Sequence, residues 1–410
     1  MLKYEEALLE ILNSVEVLPA FKMPILKTSG LVISENIYSS EDIPHFDNSA
    51  MDGYAVRADD TYNASKTNPV ILNVVDGISA RRTTVKIRTG LKIPAGAEAV
   101  VMLEDTEVVD SQTIKVFRKV EKGENIRFLG ESVKAGELII KSGKVLTPPD
   151  IGILASLGIS KVSVIKRPEV AILATGDEII DINKVLKEGK VRNSNSYSLY
   201  SLVELCGAIP VLLGIAKDTE NDLKEKIKLA LKYDCLITSG GVSVGEYDFV
   251  KDVITKLKGS LDIWRVAIKP GKPLVFGKIK QKAIFGLPGN PVSAMVTFDQ
   301  FVKPALYKMM GKTYKKRIVK ANFKNDYRKK TGRREFVRVK VNPAPSGGAW
   351  VSKGKDGWTA EITGPQGSGI LISMVLADGY LMLPEETSFV RGGSLVDVEL
   401  FDYVNILLKS

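Results

Sequence analysis

The stretch from Asp234 to Phe249 places chemistry-bearing residues at close spacing. Its apolar run Cys235 to Ile237 reads as a buried strand, and Gly240, Gly241 and Gly245 follow, with Ser239 and Ser243 among them. A glycine loop of this kind brings backbone N–H groups close to an anion, because no Cβ blocks the approach. No Lys-Ser or Lys-Thr pair closes it, so it is not a Walker loop. It ends instead in Glu246 and Asp248, two acids able to hold a divalent cation against a bound phosphate. The same glycines also suit a purely structural turn, and the acids at the end favour the phosphate reading.

Scarce residues narrow the chemistry further. His45 is the only histidine, and Cys206 and Cys235 are the only cysteines. Both cysteines sit in apolar runs and read as buried thiols. A zinc site of Cys and His is excluded, as is a disulfide framework, and a Ser-His-Asp triad would depend on His45 alone. Carboxylates, lysines, hydroxyls, backbone amides and a metal are left to do the work.

The chain has 410 residues, a net charge of +10, 44% hydrophobic and 26% charged residues, as expected of two to four globular domains. The positive charge suits a small polyanion or simple solubility. Nucleic acid is disfavoured, because no Lys/Arg tract with interleaved aromatics appears. The opening residues form an amphipathic pattern rather than a secretory leader, and no apolar run has membrane-spanning length, so a cytoplasmic protein with no membrane contact is expected.

The elements that must position these residues can be taken in order. Leu2 to Val17 reads as a helix ended by Pro19. The run His45 to Ala55 is polar and glycine-containing yet carries Phe46, Met51 and Tyr54. It reads either as a tight turn or as a loop packed on another domain or subunit. Between Pro69 and Ile140, short β-branched runs (70–75, 85–88, 99–103, 108–109, 113–120) describe a small β domain, with Thr89-Gly90 at the end of one strand. Thr147 caps a helix that Gly158 stops, and this helix is expected to pair with the N-terminal one as a stalk.

From Pro168, apolar strands alternate with helices. Strands are expected at 170–174, 210–215, 235–237, 263–268, 274–276 and 283–287. Helices are expected at 196–205 (capped by Ser194 or Asn195), from a Thr219/Asp222 capping box to Tyr233, at 249–257 and at 292–309. Such alternation predicts a doubly wound parallel sheet covered on both faces. A basic C-terminal β domain follows, with strands expected at 336–341, 370–372, 380–383 and 395–400 and a turn at 364–369. The expected division is therefore a helical stalk (1–50 with 141–167), an inserted β domain (51–140), an α/β domain (168–312) and a C-terminal β domain (313–410).

In a parallel sheet, loops leaving the carboxyl ends of the strands gather at one edge, where ligands bind. That edge would collect Asp177, Glu178, Asp218, Glu246 and Asp248. Five acids repel unless a cation or hydrogen bonds offset them, and oxygen ligands of this type suit Mg²⁺ bridging to phosphate.

With these motifs assembled, the chain resembles the molybdopterin molybdenumtransferase family, MoeA and the related E domain of gephyrin. The likeness is carried by 47–55 (Asp-Asn-Ser-Ala-Met-Asp-Gly-Tyr-Ala), 174–178 (Ala-Thr-Gly-Asp-Glu), 239–243 (Ser-Gly-Gly-Val-Ser), 269–273 (Lys-Pro-Gly-Lys-Pro) and 286–293 (Gly-Leu-Pro-Gly-Asn-Pro-Val-Ser), in that order. The resemblance implies molybdate (or tungstate) insertion into adenylylated molybdopterin, with Mg²⁺-dependent release of AMP. It implies that Asp177, Glu178, Asp218 and Asp248 serve the metal and nucleotide. Thr175, Gly176, Ser239, Gly240, Gly241, Ser243, Gly289 and Asn290 would cradle the ligand, and Pro288 and Pro291 would shape a loop from which Ser293 donates. Lys269, Lys272, Arg333 and Ser368 would serve the oxyanion. It also implies a homodimer in which Asp52 and Thr89 complete the partner's site, with transient contacts to molybdopterin adenylyltransferase and apo-molybdoenzymes. One departure stands out: Gly130-Glu131-Ser132 replaces an expected Gly-Glu-Asp, and no role passes to Ser132. A molybdopterin adenylyltransferase fits the sheet domain alone, and a non-catalytic scaffold leaves the acids and lysines unused. A nicotinamide dehydrogenase lacks its Gly-x-Gly-x-x-Gly turn.

Overall fold

The computed structural model describes all residues except Ser79, 242–248, 344–356 and 405–410. The chain folds into two compact units, Met1–Lys22 with Ser163–Ser410, and Met23–Val162. Among the described residues, no helix is long and apolar enough to cross a membrane.

Helix α1 (Tyr4–Ser14) begins the larger unit. Its buried face, Tyr4, Ala7 and Ile11, joins Val15, Phe301, Ala305 and Met309 in one apolar core. A fully buried Ile or Leu in such a core contributes roughly 1.5–3 kcal/mol. The other helix expected beside it, Pro148–Ser156, belongs to the smaller unit. There it starts on a Thr147/Asp150 capping box, with the Thr147 N–H 2.8 Å from the Asp150 carboxylate. The two helices thus fall in different compact units.

The main sheet contains β1 (Glu169–Thr175), β2 (Ile209–Ala216), β3 (Cys235–Ser239), β4 (Ser260–Arg265), a short β5 (Ile268–Lys269) outside it, β6 (Pro273–Ile279) and β7 (Lys282–Leu287). Its order is β2-β1-β3-β7-β6-β4. Strands β2, β1, β3 and β7 run parallel to one another, while β6 runs antiparallel to both its neighbours, β7 and β4. The sheet is therefore mixed rather than uniformly parallel. The reversal occurs at a two-residue hairpin, where Lys280 and Gln281 take positive φ values of 48° and 64°.

Helices α2 (Asn195–Leu205), α3 (Glu220–Ala230) and α4 (Phe249–Lys256) cross between strands. Ser194 and Thr219 take the N-cap positions as expected, but neither side chain makes a cap hydrogen bond. Asp222 accepts the Lys217 N–H at 2.7 Å instead of closing a box with Thr219, and the Ser196 N–H goes to Asn193 Oδ1 at 3.1 Å. The long helix expected over 292–309 is α5 (Pro291–Thr297), a π-helical turn (Phe298–Val302) and α6 (Lys303–Met309). Pro304 lacks an N–H and its ring would clash one turn back, so the wider turn accommodates it.

Strands β8 (Ile318–Phe323), β9 (Arg334–Pro343), β10 (Trp358–Ile362), β11 (Gly379–Leu383) and β12 (Leu395–Leu400) form the C-terminal sheet. The β9–β11 pairing closes these strands into a ring, and β5 joins it by parallel pairing with β9. The strand expected at 370–372 is absent. Those residues lead into the short helix Ile372–Val375, with Ile372 58% and Val375 71% exposed.

The smaller unit carries the predicted β domain, a sheet built from 99–102, 53–56, 83–87, 70–74, 113–116 and 106–110, in that spatial order. The second half of the polar run 45–55 is thus a buried strand. Gly53 is required there, since a Cβ would lie 2.0 Å from the Val101 carbonyl oxygen. Tyr54 packs into this domain's own core, whereas Phe46 and Met51 are exposed. Both cysteines are buried as expected, and burial pushes the Cys206 thiol up to about 12. His45 sits beside Glu41, with Nδ1 3.2 Å from the carboxylate.

Candidate functional site

A cavity of about 890 Å³ opens at the carboxyl ends of β1, β2, β3 and β7. Its wall includes Thr175, Gly176, Glu178, Asp218, Ser239, Gly240, Gly241, Pro288, Gly289, Asn290 and Pro291. The predicted gathering of these loops along one sheet edge is what the structure contains. Strands β1, β3 and β7 end there as their apolar runs give way to glycine or proline turns, and β2 ends at the polar run Lys217-Asp218-Thr219.

The loops are locked to one another by specific contacts. The Asp177 N–H donates to Asp218 Oδ2 at 3.1 Å, and the Asp218 N–H donates back to Asp177 Oδ1 at 3.2 Å. This reciprocal pair draws the ends of β1 and β2 together. Lys190 Nζ donates to the Asp177 carbonyl at 2.9 Å. Gly176 has φ +136°, and a Cβ there would lie 2.7 Å from the Glu178 carboxylate. The missing side chain lets Glu178 fold over its own turn and face the cavity. Gly240 has φ +92°, and its Cβ would stand 2.5 Å from the Thr175 carbonyl oxygen, so the β1 and β3 loops touch backbone to backbone.

Asn195 supplies a further clamp. Its Nδ2 donates to Ser239 Oγ and to the Gly289 carbonyl, each at 2.8 Å. One side chain from the start of α2 thereby ties the β3 and β7 loops. Asn195 is a cavity residue that the cap reading missed. The signal was available in its placement, a polar residue opening a helix beside the ligand edge.

The remaining predicted residues are distributed differently. Asp177 turns to the Asp218 amide and is not part of the cavity wall. Ser293 is buried, and its carbonyl accepts Thr297 Oγ1 at 2.7 Å. Ser368 offers its carbonyl to the Val292 N–H at 3.1 Å, and its neighbour Gly369 lines the cavity. Lys272 is exposed next to the lining residue Pro273. Lys269 is paired with buried Glu335 at 2.8 Å, a partner the sequence reading did not identify. Arg333 is half-buried, with its carbonyl accepting Lys329 Nζ at 3.0 Å. Ser243, Glu246 and Asp248 lie outside the described residues.

Asp52 and Thr89 belong to the smaller unit and form a local pair. The Thr89 N–H and Oγ1 donate to Asp52 Oδ1 at 2.7 and 2.9 Å. These bonds, the backbone one first, hold the exposed Asp52 carboxyl below the usual carboxylate range.

Among the described residues, no three or more His, Cys, Asp or Glu side chains are grouped to hold a metal ion. Glu178 and Asp218 nevertheless both face the cavity. Mg²⁺ is typically held by one or two carboxylates and completed by water and substrate phosphate, so this oxygen-only donor pair fits it without a preformed cage. A roomy cavity at the switch edge of an α/β sheet, walled by glycine turns and two carboxylates, defines an α/β protein with a ligand site at its strand ends.

Comparison with known proteins agrees with that class. Residues 171–308 match a family described as a probable molybdopterin binding domain. Residues 2–158 match the MoeA N-terminal region (domain I and II), and 320–401 the MoeA C-terminal region (domain IV). A molybdopterin molybdenumtransferase of Staphylococcus aureus (strain COL) is 35% identical over 411 residues, covering 97% of this chain and 94% of the relative. One from Haemophilus influenzae is 36% identical over 385 residues, covering 91% and 92%. A crystal structure of the molybdopterin biosynthesis moeA protein from Pyrococcus horikoshii OT3 superposes with a TM-score of 0.75 at 33% identity, covering 98% of this chain and all of that one (100%). The chain belongs to the molybdopterin molybdenumtransferase (MoeA) family.

Proposed function

We propose that this chain carries out the final step of molybdenum cofactor synthesis, inserting molybdate or tungstate into the dithiolene of adenylylated molybdopterin and releasing AMP. Family membership makes it a transferase of molybdenum cofactor biosynthesis. The observation that carries the finer reading is the cavity at the strand ends, where Glu178 and Asp218 stand beside the Gly240-Gly241 turn. In this reading the glycine turn and the Asn195-clamped loops bind the nucleotide phosphates, with Thr175 and Ser239 beside them. Glu178 and Asp218, together with Asp177 and Asp248, would hold Mg²⁺, which would supply charge neutralisation at the phosphoanhydride. Lys269, Lys272, Arg333 and Ser368 present positive charge and donors to the incoming oxyanion.

The reading includes a cytoplasmic homodimer in which Asp52 and Thr89 complete the partner's site. It keeps the four-part division into 1–50 with 141–167, 51–140, 168–312 and 313–410. Transient contacts with molybdopterin adenylyltransferase and with apo-molybdoenzymes would then pass the unstable pterin along.

The test is AMP release from adenylylated molybdopterin with Mg²⁺, with and without molybdate, for the wild-type chain and Asp218→Asn. Oxyanion-dependent release that the variant loses is the expected result. Conversion of ATP and bare molybdopterin to the adenylate, with AMP retained whatever the oxyanion, would establish an adenylyltransferase instead.

A further inference from the structure

Lys269 ends β5, whose pairing with β9 sets Lys269 opposite Glu335. The Lys269 ammonium lies 2.8 Å from Glu335 Oε1, and the Tyr327 hydroxyl donates to the same oxygen at 2.8 Å. The Glu335 side chain is only 5% exposed, whereas that of Lys269 is 46% exposed. A buried carboxylate is costly unless its partners are good, so these contacts are specified rather than incidental. Burial, and then the bond to Glu335, push the Tyr327 hydroxyl above its ordinary range, which keeps it a donor.

We propose that Glu335, held by Tyr327, is a positioning residue that fixes the Lys269 ammonium as an oxyanion donor. The proposal rests on the transferase reading above. A free lysine on a surface spreads its charge over many rotamers, and ordering it costs up to about 2 kcal/mol. The ion pair with Glu335 meets that cost on folding. An ammonium has three N–H donors, and the bond to Glu335 uses one, which leaves donors for an anion on the exposed side. Lys329 and Arg338 both interact electrostatically with Glu335. Lys329 directs its own ammonium to the carbonyls of Lys330, Arg333 and Glu385, at 3.5, 3.0 and 3.3 Å, and so braces the turn that carries Arg333.

The experiment is a double-mutant cycle on the full chain, measuring AMP release against molybdate concentration. Glu335→Gln keeps the shape and an acceptor for Tyr327 but removes the charge that holds Lys269. It is expected to raise the molybdate KM about tenfold, the scale of one charge-assisted hydrogen bond, with kcat changed far less. Lys269→Ala should do the same, and the double variant should be no worse than either single one. Tyr327→Phe, the milder perturbation if Glu335→Gln folds poorly, should raise KM about threefold, as for a neutral bond. An unchanged KM in Glu335→Gln and Tyr327→Phe, or penalties that multiply in the double variant, would overturn the proposal. Molybdate binding followed by calorimetry separates the two readings. A wild-type chain that releases no AMP but binds molybdate, with the tenfold loss in Glu335→Gln, refutes the transferase and leaves Glu335 in this role. One that binds no molybdate refutes both.

Discussion

Replacing Asn195 by alanine removes a side chain that makes two hydrogen bonds to two different loops. Its amide donates at 2.8 Å to Ser239 Oγ and at 2.8 Å to the Gly289 carbonyl. Each bond contributes about 0.5–1.5 kcal/mol net, so the pair amounts to about 1–3 kcal/mol. Asn195 is half-buried, and water can repair part of the loss, which favours the lower half of that range. Were the two loops required in register at the transition state, kcat/KM for AMP release would fall between about fivefold and thirtyfold. Global stability should move little, because the same energy spread over a chain of this size shifts Tm by only about 2–4 °C.

The assay is AMP release from adenylylated molybdopterin with Mg²⁺ and molybdate, paired with a thermal melt of each variant. Asn195→Asp is the sharper comparison. A carboxylate cannot donate to the Gly289 carbonyl, and it adds a negative charge to a cavity that already holds Glu178 and Asp218. If the cavity binds the phosphates, aspartate must be worse than alanine. Retention of wild-type kcat/KM within twofold by Asn195→Ala would refute the clamp. An aspartate variant as active as the alanine one would refute phosphate binding next to Asn195.

Two other predictions address stability. Gly240→Ala must leave a left-handed φ of +92° and relieve a 2.5 Å approach to the Thr175 carbonyl. A loss of about 2–4 kcal/mol is expected in urea unfolding, against about 1 kcal/mol for Gly158→Ala, which has φ +69° and nothing within 4 Å. Equal losses would show that the β1 and β3 loops do not touch as described. Asp299 is the second case: burial raises its carboxyl from 3.8 to about 6, partly opposed by Lys303 and the Tyr380 hydroxyl bond at 2.9 Å. Between those values the folded chain keeps a proton that the unfolded chain has lost. Stability therefore falls as pH rises from about 4 to about 6, by roughly 1–3 kcal/mol for this group. Asp299→Asn should flatten that slope in urea unfolding at pH 4, 5, 6 and 7, and an unchanged slope would assign it to other groups.

What could be read from the sequence depended on whether a feature was local. Strands β1, β3 and β7 are buried on both faces and were legible as unbroken apolar runs, and their glycine and proline exits marked the ligand edge. The run at 370–372 looked the same, yet Ile372 is exposed, because an apolar run alone does not say what will cover it. The hairpin at Lys280-Gln281 carries neither Gly nor Asn, so nothing in the residue types announced the antiparallel reversal. Strand 53–56 was hidden in a polar run because Gly53 serves there for close approach to Val101 rather than for a turn.

The site divides along the same line. Asp218, Glu178 and the glycines announce a phosphate edge because chemistry of that kind is a property of residue type and spacing. Asn195 looked like a helix cap because capping and cross-loop clamping ask for the same amide. Glu335 gave no signal at all: its role depends on the pairing of β5 with β9, a contact between segments with β6, β7, α5, α6 and β8 between them. The residues that meet the ligand are therefore readable from motifs, while those that aim them are set by strand register. A variant series built only on motif residues would miss Glu335 and Tyr327, which is why the double-mutant cycle pairs Glu335 with Lys269 and Tyr327→Phe is measured beside it.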